Sequence, residues 1–387
     1  MDFSLLVNAG EQGDGSAIFD AIARAYEEEG QFALVFEARV LQKRFDLGLP
    51  LVGDVASLDL DDGVRATLET HYESLCREIG QKFLDRGDLG QAFAYFQTVQ
   101  DLEPIGAALD AWADRSSEER EPVLESLLEI GLGQGVRPEL GYRWMLEHRG
   151  ICDSISFLEQ HASLDPSVRR RLVGTLVRAM HRELNESLQR DLVEHEGTRV
   201  EVPLVEILKG RRWLFRNNRC HVDDSHLQAS IRFAVTLEDR EGLSLAEELC
   251  VYGMHLPPTY QHSEGCPFED FYNDYRVLLR GLNGVESDRA VEHFAHKLTK
   301  QTEENPRATH FPAEILAFLQ HRTQQHAGAI ETFRAHLSQS PRLSLCPPLL
   351  ELCRAAHDFG PFLEATLEKG NALQYAIGLI EKYQLGS

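Results

Sequence analysis

Cys220, His221, Asp223, Asp224 and His226 crowd into the stretch CHVDDSHLQ, and the loop downstream adds His255, His262 and Cys266. Thiolate, imidazole and carboxylate are the donors that zinc and other N/S-seeking metals take in sets of three or four. Cys220, His221, His226, His255, His262 and Cys266 are therefore the candidate metal ligands. They define one reading of function: a helical enzyme or metal-dependent sensor with its site between residues 220–226 and 255–266. The spacing weighs against it. His221 and His226 are five apart, off a single helix face, and no CxxC or HxxxH pairing accompanies them. DDSH also reads as a helix start, with Asp224 or Ser225 capping HLQASIRFAV. Convergence of these side chains in space is what separates the two readings.

Other chemistry is sparse. The chain has no P-loop, no GxSxG, no HExxH and no GxGxxG after a strand. No two carboxylates are spaced as an acid/base couple, and Glu27, Glu28 and Glu29 read as a solvated helix end. No catalytic residue and no cofactor is assigned. KGRRWLFRNNR sets Lys209, Arg211, Arg212, Arg216 and Arg219 around Trp213 and Phe215. Arginine beside an aromatic ring can stack on bases or clamp phosphates. Pairing with acidic neighbouring helices is the plainer expectation. Cys346 and Cys353, seven apart, read as core thiols on a shared helix face.

The elements that must position these groups are helical. IFDAIARAYEEEG places Phe19, Ile22, Ala23 and Tyr26 on one face. From Val168 a long helix carries Leu172, Leu176, Met180, Leu184 and Leu188 four apart. TRVEVPL is the one candidate extended piece, and Pro203 there is better placed to open a helix, PLVEILKGRRWLF. In IGQKFLDRGDLGQAFAYFQTVQDLEP, Gly80, Ala92, Phe96 and Pro104 stand at gaps of twelve, four and eight. Gly80 and Ala92 let two helices approach closely, Phe83 and Phe96 fill the space beside them, and Gly87 closes the turn. Pro104 cannot continue the second helix. The same gaps recur at Ala317, Ala329, Phe333 and Pro341, and at Ala234, Ala246, Cys250 and Pro258; Leu278, Ala290 and Phe294 keep the first three positions, and Ala23 and Val35 form a weaker copy.

This pattern resembles the tetratricopeptide repeat family, best over 73–104 and 310–341 and less closely over 227–258 and 271–302. The copies are not tandem and lack the family's Trp. The resemblance implies an all-α, irregular α-solenoid of stacked helical hairpins. It also implies a non-catalytic protein- or peptide-binding scaffold or adaptor, with the first helix of each hairpin lining a concave surface. Carried over copy by copy, the partner-binding candidates are Arg77, Gln81 and Asp85, then Tyr275 and Asn283, then Glu314, Phe318 and His321. The expected organisation is N-terminal hairpins over 1–160, a long-helix middle segment over 161–220, and C-terminal hairpins over 221–387 interrupted by the loop 257–271. A second connector spans 47–64.

Composition narrows the partner. Lys and Arg number 39 against 62 Asp and Glu, a formal charge of −23. That excess disfavours nucleic acid, whose affinity rests on phosphate neutralisation, and favours a basic or amphipathic segment. No run of about eighteen apolar residues offers a membrane span. The first residues lack the basic start of a secretory signal. Seven scattered cysteines do not read as a disulfide framework, so a reducing cytoplasm is expected. Oligomeric state stays open.

Overall fold

Aspartates start two consecutive helices of the N-terminal unit, and a glycine follows the first of them. Asp61 and Asp88 accept hydrogen bonds from the backbone N–H of Gly63 and Gln91, which satisfies donors a helix start leaves bare. Gly87 follows the helix Asp62–Asp85 at φ 82°, the left-handed geometry predicted for it. The computed structural model describes residue 7 and residues 15–53, 59–339 and 343–385. Among the described residues every regular element is helical and none is a strand.

The chain forms two compact units, 1–148 and 149–387. The first holds α1 (Gly15–Glu28), α2 (Phe32–Asp46), α3 (Asp62–Asp85), α4 (Leu89–Thr98), α5 (Glu103–Ala113), α6 (Ser117–Arg120) and α7 (Leu124–Leu128); α8 (Pro138–Gln160) runs into the second. Within α8, Gly150 leaves helical geometry (φ 81°, ψ −177°), next to the boundary between the units. Each helix packs chiefly on its sequence neighbours: α1 on α2, α2 on α3, α3 on α4. Gly80 explains the closeness of the α3–α4 contact. A Cβ built there would stand 2.8 Å from the Phe96 ring, and Ala92 is fully buried beside it. Phe32, Phe36, Tyr72, Phe83 and Tyr95 form an edge-to-face and stacked cluster across α2, α3 and α4.

In the second unit α9 (Pro166–Glu196) is the predicted long helix, and Leu172, Leu176, Met180, Leu184 and Leu188 are all buried. Then follow α10 (Leu204–Leu208), α11 (Asp224–Ala234), α12 (Arg240–His255), α13 (Phe271–Leu282), α14 (Ser287–Glu304), α15 (His310–Arg322), α16 (His326–His336), α17 (Leu349–Ala356), α18 (Gly360–Glu368) and α19 (Ala372–Leu385). The helix α9 packs on α11 and α12; from α12 to α19 each packs on the next. Small residues again set the crossings. A Cβ on Gly281 would lie 2.6 Å from that of Ala290, and one on Gly253 would lie 2.1 Å from the Tyr272 ring.

Several expectations change. Pro104 does not end α4: Gln100 does, at φ 54°, while Pro104 sits in the first turn of α5, where its missing N–H costs nothing. Pro341 lies outside the described residues, as do 54–58 of the connector. Pro203 opens only the five-residue α10; Gly210, at φ 75°, separates it from a 3₁₀ stretch, Arg212–Asn218. The loop 257–271 lies between α12 and α13, which pack together across it. It is folded onto that pair. Gln261 Nε2 donates to Gly253 O and Leu256 O, and Phe268 is fully buried, stacked on Tyr275 at 4.0 Å. Burying such a side chain stabilises by about 1.5–3 kcal/mol. Cys353 lies on α17, but Cys346 precedes it; both are buried free thiols.

Candidate functional site

His221 is the centre of the Cys/His region, and its bonds are all within the protein. Its side chain is wholly buried, with Nε2 3.1 Å from Asp191 Oδ2 and Nδ1 3.0 Å from the Tyr252 hydroxyl. Burial holds its pKa below the usual histidine value against the pull of Asp191. The ring is therefore neutral at pH 7, its Nε2–H donating to Asp191 and its Nδ1 accepting from Tyr252. The Tyr252 oxygen in turn accepts from the His221 backbone N–H at 2.8 Å, and burial pushes its phenol well up. Cys220 donates through Sγ to Val222 O, and Arg219 reaches Asp191 at 2.6 Å.

The remaining predicted ligands stand elsewhere. His226 lies in the first turn of α11, whose cap is Asp223 rather than Asp224 or Ser225. His255 is exposed, its Nδ1 against Val251 O and its ring over Phe215. His262 is exposed beside Phe271. Cys266 faces Lys297 O, its thiol raised by burial to about 11. Among the described residues no three His, Cys, Asp or Glu side chains are arranged to hold a metal ion. The basic stretch 209–219 is largely paired: Lys209 with Glu206, Arg211 with Glu196 through both ends of its fork, and Arg219 with Asp191. Trp213 lies 4.1 Å from the His195 ring.

The eight predicted partner contacts divide sharply. Arg77, Gln81 and Asp85 are exposed along α3 at helical spacing. Gln81 donates to Asp85 at 2.8 Å, and Arg77 lies between Glu73 and Asp101. In the second unit most are internal. Tyr275 is buried against Phe268 and donates to Glu264. Asn283 donates to Ser244 Oγ and Arg240 O. Glu314 is buried and accepts from the backbone N–H of Ser344, Leu345 and Cys346. It fastens the segment before α17 and does not present a charge at a rim. Phe318 is buried, whereas His321 is half-buried. A face assigned by repeat position is core here, because α13 and α15 are covered by neighbours on more than one side.

The exposed row on α3 continues into a groove that sequence reasoning missed. Leu68, Glu69, Tyr72 and Glu73 of α3 and Thr98, Val99 and Gln100 after α4 line about 520 Å³. Tyr72 is 40% exposed. Its ring packs edge-to-face with that of Phe36, 5.1 Å between centroids, and also lines the groove. The available signal was that Leu68 and Tyr72, four apart, fall outside the core set Leu75, Cys76, Ile79 and Phe83. A second cavity, about 370 Å³, lies in the second unit and gathers Phe318 and His321 with three arginines.

Compared with family models, with curated proteins and with solved structures, the chain matches none.

Proposed function

We propose that this protein is a non-catalytic scaffold or adaptor, a tetratricopeptide-repeat-like α-solenoid that binds a basic, amphipathic protein segment. The observation that carries the reading is the α3–α4 groove. Its apolar part, Leu68, Tyr72 and Val99, is bordered by Glu69 and Glu73, with Asp101 beyond. An apolar stripe fits a helix laid in a groove, and carboxylates at the border suit its basic flanks. Packing of each helix on its sequence neighbours, with small residues at the crossings, supports the stacked arrangement. Arg77, Gln81 and Asp85 extend the surface along α3.

Binding kinetics with two designed helical peptides test this, one Lys/Leu amphipathic and one Glu/Leu with the same apolar stripe. The Lys/Leu peptide should bind, and more weakly as salt rises, since the screening length falls from about 10 Å at 0.1 M to about 3 Å at 1 M. Tyr72→Ala should speed dissociation, on the order of tenfold or more for a central aromatic contact. Glu69→Lys with Glu73→Lys should mainly slow association. Equal binding of both peptides, or rates untouched by these variants, would place the interface elsewhere.

A further inference from the structure

The cavity in the second unit has a charge character opposite to that of the chain as a whole. Arg169 and Arg170 come from the first turn of α9, Glu238 from the turn before α12, and Phe318, His321 and Arg322 from the end of α15. Three guanidiniums thus face one carboxylate in a protein of formal charge −23. Arg169 is anchored on α8, donating to Leu158 O at 2.6 Å. Arg170 meets Glu238 at 3.0 Å. Arg322 donates through Nη2 to Leu237 O at 2.7 Å and lies 5.5 Å from the Phe318 ring centroid. A guanidinium carries five N–H donors in a rigid fork, so these bonds leave donor capacity at both Arg170 and Arg322.

Three further observations point to a ligand. The His321 Nδ1 is buried and has no hydrogen-bond partner among the described residues, a state that costs free energy unless something answers it. Glu314, the one carboxylate on α15, accepts from three backbone N–H groups. It holds the Ser344–Leu345 wall in place and does not offset the arginines by pairing with them. Burial depresses the Arg322 pKa, with Arg170 acting in the same direction and Glu238 against it; an added anion would relieve that cost.

We propose that this cavity binds a small organic anion, a carboxylate or phosphate carried on an apolar or planar body. Arg170 and Arg322 take the anionic group, since a planar fork matches carboxylate and phosphate oxygens. Phe318, with Leu164 and Leu345 also in the lining, takes the body. A volume of about 370 Å³ lies within the usual range for such sites, about 300–1,000 Å³. The inference is independent of the groove on the first unit.

Calorimetric titration of the full chain tests it with phenyl phosphate, phenylacetate, inorganic phosphate and benzyl alcohol. Phenyl phosphate or phenylacetate should bind at least tenfold more tightly than inorganic phosphate, and benzyl alcohol should give no saturable heat. Arg170→Gln should weaken binding at least tenfold, and it removes only a half-exposed ion pair, so the fold should survive. Arg322→Gln should do the same, and Phe318→Leu should narrow the gap between phenyl phosphate and inorganic phosphate. Four outcomes overturn the proposal: no binding of either aromatic anion at millimolar concentration, equal binding of benzyl alcohol, affinity unchanged in Arg170→Gln, or binding of an oligoglutamate peptide in place of the small anions.

Discussion

His221 is neutral where it sits, and that neutrality makes stability depend on pH. Its folded pKa lies below the ordinary value of 6.5. Between the folded and unfolded values the unfolded chain binds the extra proton, so stability rises with pH there and falls on acidification. The contribution is fully present above about pH 6.5 and is lost as pH drops through the folded pKa. His321, also depressed by burial, has the same sign. Asp274 is depressed too, by His293 and Lys297 against its own burial, but its window begins only below 3.8. The urea midpoint should therefore fall between pH 7 and pH 5. In His221→Gln the fall should be shallower, whatever that variant loses in overall stability. An equal slope in wild type and variant would mean the buried ring takes up its proton freely in the folded state.

Among the elements, the crossings at Gly80 and Gly253 decide how closely helices approach. Gly80→Ala gains helix propensity of up to about 1 kcal/mol. It also drives a methyl to 2.8 Å from Phe96, a ring too buried to swing aside. Overpacking of this kind costs about 1–3 kcal/mol, so the net effect should be destabilising. Gly253→Ala meets the Tyr272 ring at 2.1 Å and should cost more. Gly90→Ala, on an exposed position with open space around it, should be neutral or stabilising and serves as the control. Denaturation midpoints of the three variants give the comparison. A Gly80→Ala midpoint at or above wild type would remove the close crossing of α3 and α4. The hairpin was legible because small residues twelve apart put two contact points on consecutive helices. The packing of α12 on α13 was not legible. Fifteen residues of loop hid a pairing that Gly253 and Tyr272 make.

For the whole molecule, charge is the dominant variable. Sixty-two acidic against 39 basic side chains repel one another in the folded state, and exposed pairs such as Arg24–Asp20 offset this weakly. At pH 7 the melting temperature should rise when salt goes from 0.01 M to 0.1 M, as the screening length falls from about 30 Å to about 10 Å. The calorimetric scan at two salt levels shows it. A melting temperature that falls with salt would mean that paired charges outweigh the net repulsion.

The sequence by itself determined that the chain is helical. Apolar periodicity, Asp caps and glycine ends are local, and a local signal survives without knowledge of neighbours. It determined the buried stripe of α9 for the same reason. Which exposed face faces what was decided only by the tertiary structure. Tyr275 and Glu314 carry side chains suited to a surface, yet the neighbours of α13 and α15 cover them and supply their partners. His221 and Cys220 carry ligand chemistry, yet Asp191 and Tyr252, about thirty residues away on either side, close them into an internal network. Arg169 and Arg170 are neighbours at the start of α9, yet they meet Arg322, far along the chain, at one cavity. Long-range convergence depends on how helices stack, and stacking is set by contacts between side chains that no local window contains.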